Sequence, residues 1–597
     1  MAVRAPFVLL DDARVEGAAD AQLFEAPRAV FVASTPDEVA PTLQAADAAQ
    51  QDQGGTLAGY IAYEAGLALE PRLAASAAAR SGAAGPLVWL GLFDAPQIIR
   101  AEDVSGWIET RATGPVSLGP LEPQLSTGGY EQAFAALQEA IRAGDIYQAN
   151  LTFPLTGSFR GEPLALYAAL RDHARAGYGG IIFDGQHWLL SLSPELFVSL
   201  KDKEAKAKPM KGTRPRGADG TADMALAEEL LGSVKDKAEN LMIVDLMRND
   251  LSRVAEPGSV RVEAPFAIES YPTVHQMVTT IRARLAPQRS AMDLVRALFP
   301  CGSITGAPKI RAMELIGGVE RDARGPYCGA IGRIDANGDA AFNVAIRTLR
   351  LTEIENAQGT AVLGVGSAIV ADSEALPEWR ESLLKADFAR GAAPGFDLIE
   401  TMRFDPEEGV PLLELHLERI KASAAALGFA FDRHAVRNRI QALCFELDFA
   451  ARLRLLASHR GEIALEAAPL PGRVGEPAPC IALPLPVDTG DWRLRHKTTD
   501  RGFYDEARAA AHADGASEAL FARDDGQVTE GSFTNVFVER DGVLLTPPAS
   551  VGLLPGVLRR SLLEQGRARE AALSLGDLEG GFLIGNALRG LMRARLL

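Results

Sequence analysis

Short, mostly apolar runs alternate along the chain with longer stretches whose apolar residues recur at helical spacing. The runs at 188–192, 361–365 and 535–538 are too brief for helices and are bounded by polar residues, so they predict strands. The stretches at 130–142 and 415–427 predict amphipathic helices. In the second, Leu417, Ile420, Ala424 and Leu427 fall on one face. Both halves of the chain therefore read as mixed helix and strand, an α+β fold class. A seam lies at 389–395 (ARGAAPG), a small-residue stretch with proline and glycine that follows a helix-like segment. A new strand-like run, FDLIETMRF, starts at Phe396. The expected organisation is one domain over 1–390, a linker at 391–395 and a second domain over 396–597. The 201–208 segment reads as a hairpin tip or surface loop, and 75–85, rich in Ala, Ser and Gly, as a connector. No internal repeat is visible.

With 597 residues the chain exceeds a single hydrophobic core. Its 47% hydrophobic and 23% charged content is ordinary for a globular protein. A formal net charge of −17 argues against nucleic acid or an anionic membrane as partner, yet leaves room for a locally basic site that takes small anions. The apolar run at 7–10 is followed at once by Asp11 and Asp12, which is neither a signal peptide nor an anchor, and the expected location is the cytoplasm. The four cysteines are scattered and read as free thiols. None sits in the Gly-x-Cys-x-Gly turn that a glutaminase would present.

Candidate chemistry in the first half begins with two acid pairs, Asp236/Glu239 and Glu378/Glu381, each three residues apart in a helical run. Such spacing aims two carboxylates from one helix face, and two facing helices would make an oxygen-rich site suited to Mg²⁺. Taken alone, each pair is more often a solvated helix face. The segment FPCGSITGAPKIRAMELI reads as a helix opening, with Gly302, Ser303, Thr305 and Gly306 at its start and Pro308 in its first turn. Free N–H groups there suit a carboxylate. KPMKGTRPRG sets Lys211, Arg214 and Arg216 together as a basic cluster.

In fixed order, GDIYQANLT, SPELF, KPMKGTRPR, ENLMIVDLMRNDL, SITGAPKIRAMELI, YCGAIG, FNVAIRT and IVADS resemble the chorismate-utilising enzymes over roughly 128–390, and GYIAYEAG at 59–66 is similar to the family as well. The resemblance implies large antiparallel sheets flanked by helices. Within the family, anthranilate synthases carry a small residue where this chain has Lys211, and aminodeoxychorismate synthases carry lysine. The implied chemistry is two displacements. The Lys211 amine adds at C2 of chorismate and expels the C4 oxygen; ammonia then adds at C4 and releases the lysine. Glu195 of SPELF is implied as the acid that protonates the departing hydroxyl. By the same resemblance Glu239 and Glu381 hold Mg²⁺ with Asp236 and Glu378 behind them. Arg347 and Tyr327 meet the enolpyruvyl carboxylate, aided by the backbone at Thr305 and Gly366, and His275 belongs to the active site. The chain departs from the family at Cys301 and Ala368, both usually glycine.

From Phe396 onward, FDLIETMR, LLELHLERI, RHKTTDR, VTEGSFTNVFV and GLLPGVLRRSLL resemble the fold-type IV enzymes of pyridoxal 5'-phosphate (PLP), a group that includes branched-chain and D-amino-acid aminotransferases and aminodeoxychorismate lyase. The resemblance implies Lys497 as the lysine that carries the cofactor and Glu530 as the carboxylate on the pyridine nitrogen. It implies Arg419 as a phosphate ligand and the N–H groups of Val557 and Leu558 as the rest of the phosphate cradle. Leu558 replaces a threonine often found there. The two resemblances together imply a bifunctional enzyme of 4-aminobenzoate synthesis: amination of chorismate, then elimination of pyruvate. Joining consecutive steps on one chain raises the local concentration of the intermediate. With no glutaminase turn visible, ammonia is expected from a separate glutamine amidotransferase, and the fold-type IV resemblance allows a homodimer. Competing readings are an anthranilate or isochorismate synthase in the first half, and a transaminase or a PLP-free interaction module in the second.

Overall fold

The fold is that of a computed structural model. It describes every residue except 1–4, 81–84, 113–115, 218–219, 271–273, 356, 391–395, 460, 473 and 488. The expected linker at 391–395 lies outside the described residues. The chain divides into two compact units, Met1–Ala392 and Ala393–Leu597.

The first unit is built on an 11-stranded and a 10-stranded sheet, and every strand pair in them is antiparallel. The two sheets meet face to face through Val8, Ile182 and Leu189 of one and Tyr60, Trp89 and Ile331 of the other. The outer face of the 11-stranded sheet is covered by helices Thr127–Arg142 and Pro163–Ala174. That of the 10-stranded sheet is covered by Pro36–Gln53, Val234–Ser252 and Ala291–Leu298. Strands with cover on both faces cannot alternate polar and apolar residues, which is why Thr56–Ile61, Val88–Phe93 and Trp188–Ser193 are buried throughout. The 201–208 segment does turn a hairpin, between Leu196–Lys201 and Glu204–Ala207. The expected connector at 75–85 is largely ordered as helix Ala74–Arg80, with Ala77 buried against Leu73 and Met313. Alanine is a strong helix former, and its abundance there was read as low complexity.

The second unit has a three-stranded antiparallel sheet, Leu398–Phe404, Ala451–Ala457 and Ile463–Pro469, backed by helices Leu413–Leu427 and Arg433–Phe445. An eight-stranded mixed sheet follows, in which Ala478–Pro484 runs parallel to both Glu518–Ala522 and Gly590–Leu596. No helix of the described residues is long and apolar enough to cross a membrane.

Candidate active sites

Two places where the chain passes from one sheet to the other build the first site. Glu195 lies between Trp188–Ser193 of the 11-stranded sheet and Leu196–Lys201 of the 10-stranded one. Arg347 lies between Ala340–Val344 and Thr348–Glu355, which make the reverse passage. The two passages are laced together: Leu192 N donates to Arg347 O at 3.0 Å and Val344 N to Glu195 O at 3.1 Å. Arg347 has φ of 48°, a left-handed conformation that a non-glycine residue holds at a cost and that clusters at functional sites. Removal of its guanidinium from water lowers its pKa. A cation in that state suits an anionic ligand.

Lys211 enters from the edge strand Met210–Pro215. The register with Val274–Arg284 shifts between Met210 and Thr213, so Lys211 and Gly212 form a bulge that re-aims the side chain out of the ladder. Gly212 has φ of 79°, and a Cβ there would stand 2.8 Å from the Asp236 carboxylate, so glycine is what lets the bulge close on the 234–252 helix. Removal from water lowers the Lys211 pKa. Glu239 opposes that shift most, while the neighbouring Lys385 adds to it, and Glu195 and Glu381 act as smaller attractions. Lys211 therefore stands among acids from two helices and next to Glu195. Burial pushes the Glu195 carboxyl up to about 7, against the pull of a 2.7 Å hydrogen bond from Ser303 Oγ and of the Lys211 charge. A lysine made easier to deprotonate beside a carboxyl that keeps its proton near neutrality is a nucleophile and an acid in matched states.

The four acids are not gathered into one cluster: among the described residues no three of His, Cys, Asp or Glu converge. Asp236 accepts from Arg214 at 3.2 Å, Glu378 accepts from Ser373 Oγ at 2.7 Å, and Glu381 pairs with Lys385 at 2.8 Å. Glu239 has no such partner among the described residues, and burial raises its pKa. Lys211 feels the charges of both Glu239, on helix Val234–Ser252, and Glu381, on helix Ala375–Leu384. Two carboxylates that act on one lysine from different helices fit an ion that keeps several waters, as Mg²⁺ does.

Other expected residues fall differently. His275 is buried with both ring nitrogens engaged, Nδ1 2.8 Å from Ser270 Oγ and Nε2 2.9 Å from Asp223 Oδ1. Through Asp223 it fastens helix Gly220–Gly232 to the strand that pairs with Met210–Pro215. Thr305 does not open a helix. The chain makes a short turn at Gly302–Ile304 and a two-residue strand at Gly306–Ala307, and the helix starts at Lys309 with Pro308 as its cap. Two prolines and the pairing of Gly306–Ala307 with Gln148–Ala149 keep this stretch extended. The Thr305 hydroxyl donates back to Cys301 O at 3.0 Å. Gly366 lies within strand Gln358–Ile369, and its carbonyl accepts from Lys385 Nζ at 2.9 Å. Tyr327 covers Gly364, where a Cβ would stand 2.2 Å from its ring, and lines a small cavity of about 50 Å³ shared with Thr348, the neighbour of Arg347. Sequence reasoning missed Lys385 and the hydrogen bond from the Ser303 hydroxyl to Glu195. The i,i+4 spacing of Glu381 and Lys385 was a visible signal for the first.

In the second unit a cavity of about 440 Å³ gathers Lys497, Arg419, Glu530 and Val557 on its wall. Lys497 Nζ donates to Thr401 Oγ1 at 3.0 Å, and burial, with Arg419 nearby, lowers its pKa to about 7. Arg419 is held by a two-pronged pair with Glu400, Nε to Oε1 at 2.8 Å and Nη2 to Oε2 at 2.7 Å. Its Nη1 reaches towards Pro555 O at 3.4 Å, at the turn that leads into helix Val557–Glu564. The uncapped first-turn N–H groups of Val557 and Leu558 face outward from that helix start, as a phosphate needs. The Leu558 side chain packs instead with Phe537, Leu544 and Leu562. Glu530 is buried and accepts from Tyr504 Oη at 2.6 Å, and burial pushes its carboxyl up to about 8. A buried acid that lines the cavity and is held by a phenol instead of a guanidinium fits a protonated ring nitrogen. Removing Glu400 would strand Arg419 and His416, whose Nδ1 is 2.7 Å from Glu400 Oε2. The expected outcome for Glu400→Ala is a loss of about 3–5 kcal/mol in the unfolding free energy of this unit, measured by denaturant titration, together with weaker PLP retention.

Residues 5–391 match the chorismate binding enzyme family and residues 397–597 match the amino-transferase class IV family. The chain belongs to the chorismate binding enzymes and continues into a class IV aminotransferase domain. Aminodeoxychorismate synthase component 1 of Klebsiella aerogenes is 42% identical over 286 residues, 47% of this chain and 62% of that protein. Anthranilate synthase component 1 of Streptomyces coelicolor is 40% identical over 263 residues, 44% of this chain and 50% of that protein. The matched part of the chain thus spans less than two thirds of the length of these relatives. The menaquinone-specific isochorismate synthase of Escherichia coli shares the fold, with a TM-score of 0.51 at 19% identity over 65% of this chain and 89% of that one.

Proposed function

We propose that the first unit aminates chorismate at C4 to give 4-amino-4-deoxychorismate, and that the second eliminates pyruvate from it to give 4-aminobenzoate, a folate precursor. Overall identity to synthases of both regiochemistries is similar, so the reading rests on one feature: the Lys211 amine, its pKa lowered by burial, within electrostatic reach of Glu195, whose carboxyl burial pushes up to about 7. In the first displacement the neutral Lys211 amine bonds to C2, both ring double bonds shift along the diene, and the C4 oxygen leaves as water with the Glu195 proton. In the second, ammonia bonds to C4, both double bonds shift back and the Lys211 nitrogen departs with its bonding pair. Arg347 holds a substrate carboxylate. Glu239 and Glu381 would hold Mg²⁺, which would neutralise the ring carboxylate. Ammonia comes from a separate glutamine amidotransferase, and the chain acts in the cytoplasm, free or as a homodimer.

In the second unit PLP, when bound, supplies an electron sink. Lys497 takes the proton from C4 of the substrate, assisted in position by Thr401. Glu530, fixed by Tyr504, would pair with the ring nitrogen, while Arg419 and the N–H groups of Val557 and Leu558 would hold the phosphate. A transaminase reading of the same class IV domain is separated by supplying 2-oxoglutarate and assaying glutamate.

Incubating the protein with chorismate, ammonium, Mg²⁺ and PLP should yield 4-aminobenzoate and pyruvate, identified by mass; 2-aminobenzoate as the product would replace the assignment of the first unit. The acid role has its own signature. Because Glu195 must carry its proton and its pKa is about 7, amination should fall as pH rises through 7. Glu195→Gln should cost roughly 10²–10⁴-fold in rate and remove that alkaline limb from the pH profile.

A further inference from the structure

Arg508 and Arg589 stand on the wall of the Lys497 cavity, brought there by helix Gly502–Ala513 and by the turn before the last strand, Gly590–Leu596. We propose that these two arginines form a carboxylate-binding subsite at the cavity rim, which takes the carboxylate that a dianionic amine carries away from its reacting carbon. The inference rests on the lyase reading of the second unit and adds to it the feature that selects the substrate.

The pair is assembled around Phe533, three residues after Glu530. The Arg508 guanidinium lies 5.0 Å from the centre of the Phe533 ring. Asn586 Nδ2 donates to Phe533 O at 3.1 Å, and Asn586 Oδ1 accepts from the backbone N of Arg589 at 2.9 Å. Arg589 Nη1 donates to Gly472 O at 2.8 Å, which fixes the guanidinium through one of its nitrogens and leaves the other available. The segment that presents the carboxylate to the cofactor ring therefore also sets the spacing of the two arginines. Three other guanidinium groups on this cavity are neutralised by acids, Arg419 by Glu400, Arg493 by Asp491 and Arg501 by Asp505, while Arg452 and Arg454 of strand Ala451–Ala457 have no acid partner among the described residues. Arg508 and Arg589 have no carboxylate partner among the described residues. They lie close enough that burial and the Arg508 charge together lower the pKa of Arg589. Two guanidinium forks with no counter-charge suit a planar, two-oxygen anion.

The phosphate of the cofactor has its own cradle at Arg419 and the start of helix Val557–Glu564, so it does not account for this pair. Nearer the reactive amine, Arg454 is the cross-strand neighbour of Thr401, and its charge contributes to lowering the Lys497 pKa. A substrate with one carboxylate near Lys497 and a second farther out would meet positive charge at both ends. 4-Amino-4-deoxychorismate is such a dianion, with a ring carboxylate and an enolpyruvyl carboxylate, whereas an aliphatic monocarboxylic amino acid leaves the rim pair empty.

The test uses the full chain loaded with PLP, with 3-(carboxymethoxy)benzoate as a dianionic probe and 3-methoxybenzoate as its monoanionic counterpart. Binding is followed by the change in the near-visible absorption of the bound cofactor, which reports on this cavity and not on the first unit. Arg508→Gln and Arg589→Gln should each weaken the dianion at least about 10-fold, equivalent to about 1.4 kcal/mol, and leave the monoanion within about 2-fold. Both variants should keep the cofactor band, since neither residue holds PLP. Equal loss for both probes, no loss for either, or a wild-type protein that does not prefer the dianion overturns the subsite. Pyruvate release from 4-amino-4-deoxychorismate is assayed separately. If it is absent while dianion binding still depends on both arginines, the lyase reading fails and the subsite stands.

Discussion

Lys211→Ala protein supplied with ammonium should form 4-amino-4-deoxychorismate at least ~10²-fold more slowly than the wild type, with chorismate still bound. The amine is a participant in both displacements, and no neighbouring side chain can replace it. Lys385, the other amine whose charge Lys211 feels, is tied to Glu381 at 2.8 Å and to Gly366 O at 2.9 Å. Ser303 is engaged with Glu195. Ground-state binding depends on other groups, chiefly Arg347, so the loss should appear in kcat and leave substrate affinity within a few-fold. The variant should also fold normally, because a neutral side chain relieves the cost of burying an ammonium there.

The second large effect separates the two halves. Lys497→Ala should keep the amination rate of the wild type and accumulate 4-amino-4-deoxychorismate, with pyruvate release abolished and the near-visible cofactor band lost. The two units have their own cores, and every side chain assigned to each reaction comes from one of them. Glu400, His416 and Arg419 remain in place without Lys497, so the pocket keeps its phosphate-binding parts. With an amine pKa of about 7, the wild-type lysine is substantially neutral at physiological pH, as its attachment to a carbonyl cofactor requires. Glutamate formed from 2-oxoglutarate by the wild type, without pyruvate from 4-amino-4-deoxychorismate, would make the second unit a transaminase.

The sequence pattern revealed most where chemistry and periodicity coincide. The helices predicted at 130–142 and 415–427 are Thr127–Arg142 and Leu413–Leu427, since an apolar face at helical spacing has few alternatives. Lys211, Glu195 and Glu239 are drawn together, as are Lys497, Glu530 and Arg419. What pattern could not supply was the outcome of competition between partners. The acid pairs share helix faces as their spacing demands, yet Asp236 is engaged by Arg214, 22 residues earlier on an edge strand, and Glu378 by Ser373, in the turn before its own helix. His275 is expected in the active site, and the pattern did not announce that Asp223 and Ser270 engage both its ring nitrogens. Tyr504 is 26 residues from Glu530, and no local signal announces their 2.6 Å hydrogen bond. The stretch around Thr305 was misread because glycine and proline mark a helix start and an extended turn alike, and only its pairing with Gln148–Ala149 decides between them.

The most direct measurement is the intact mass of the wild-type protein after exposure to chorismate and Mg²⁺ with no ammonia present, followed by peptide mapping. The account predicts a protein population heavier by chorismate less one water, mapped to Lys211 and discharged on adding ammonium. A protein that yields 4-amino-4-deoxychorismate with ammonium, yet never carries that mass or carries it on another residue, would contradict it.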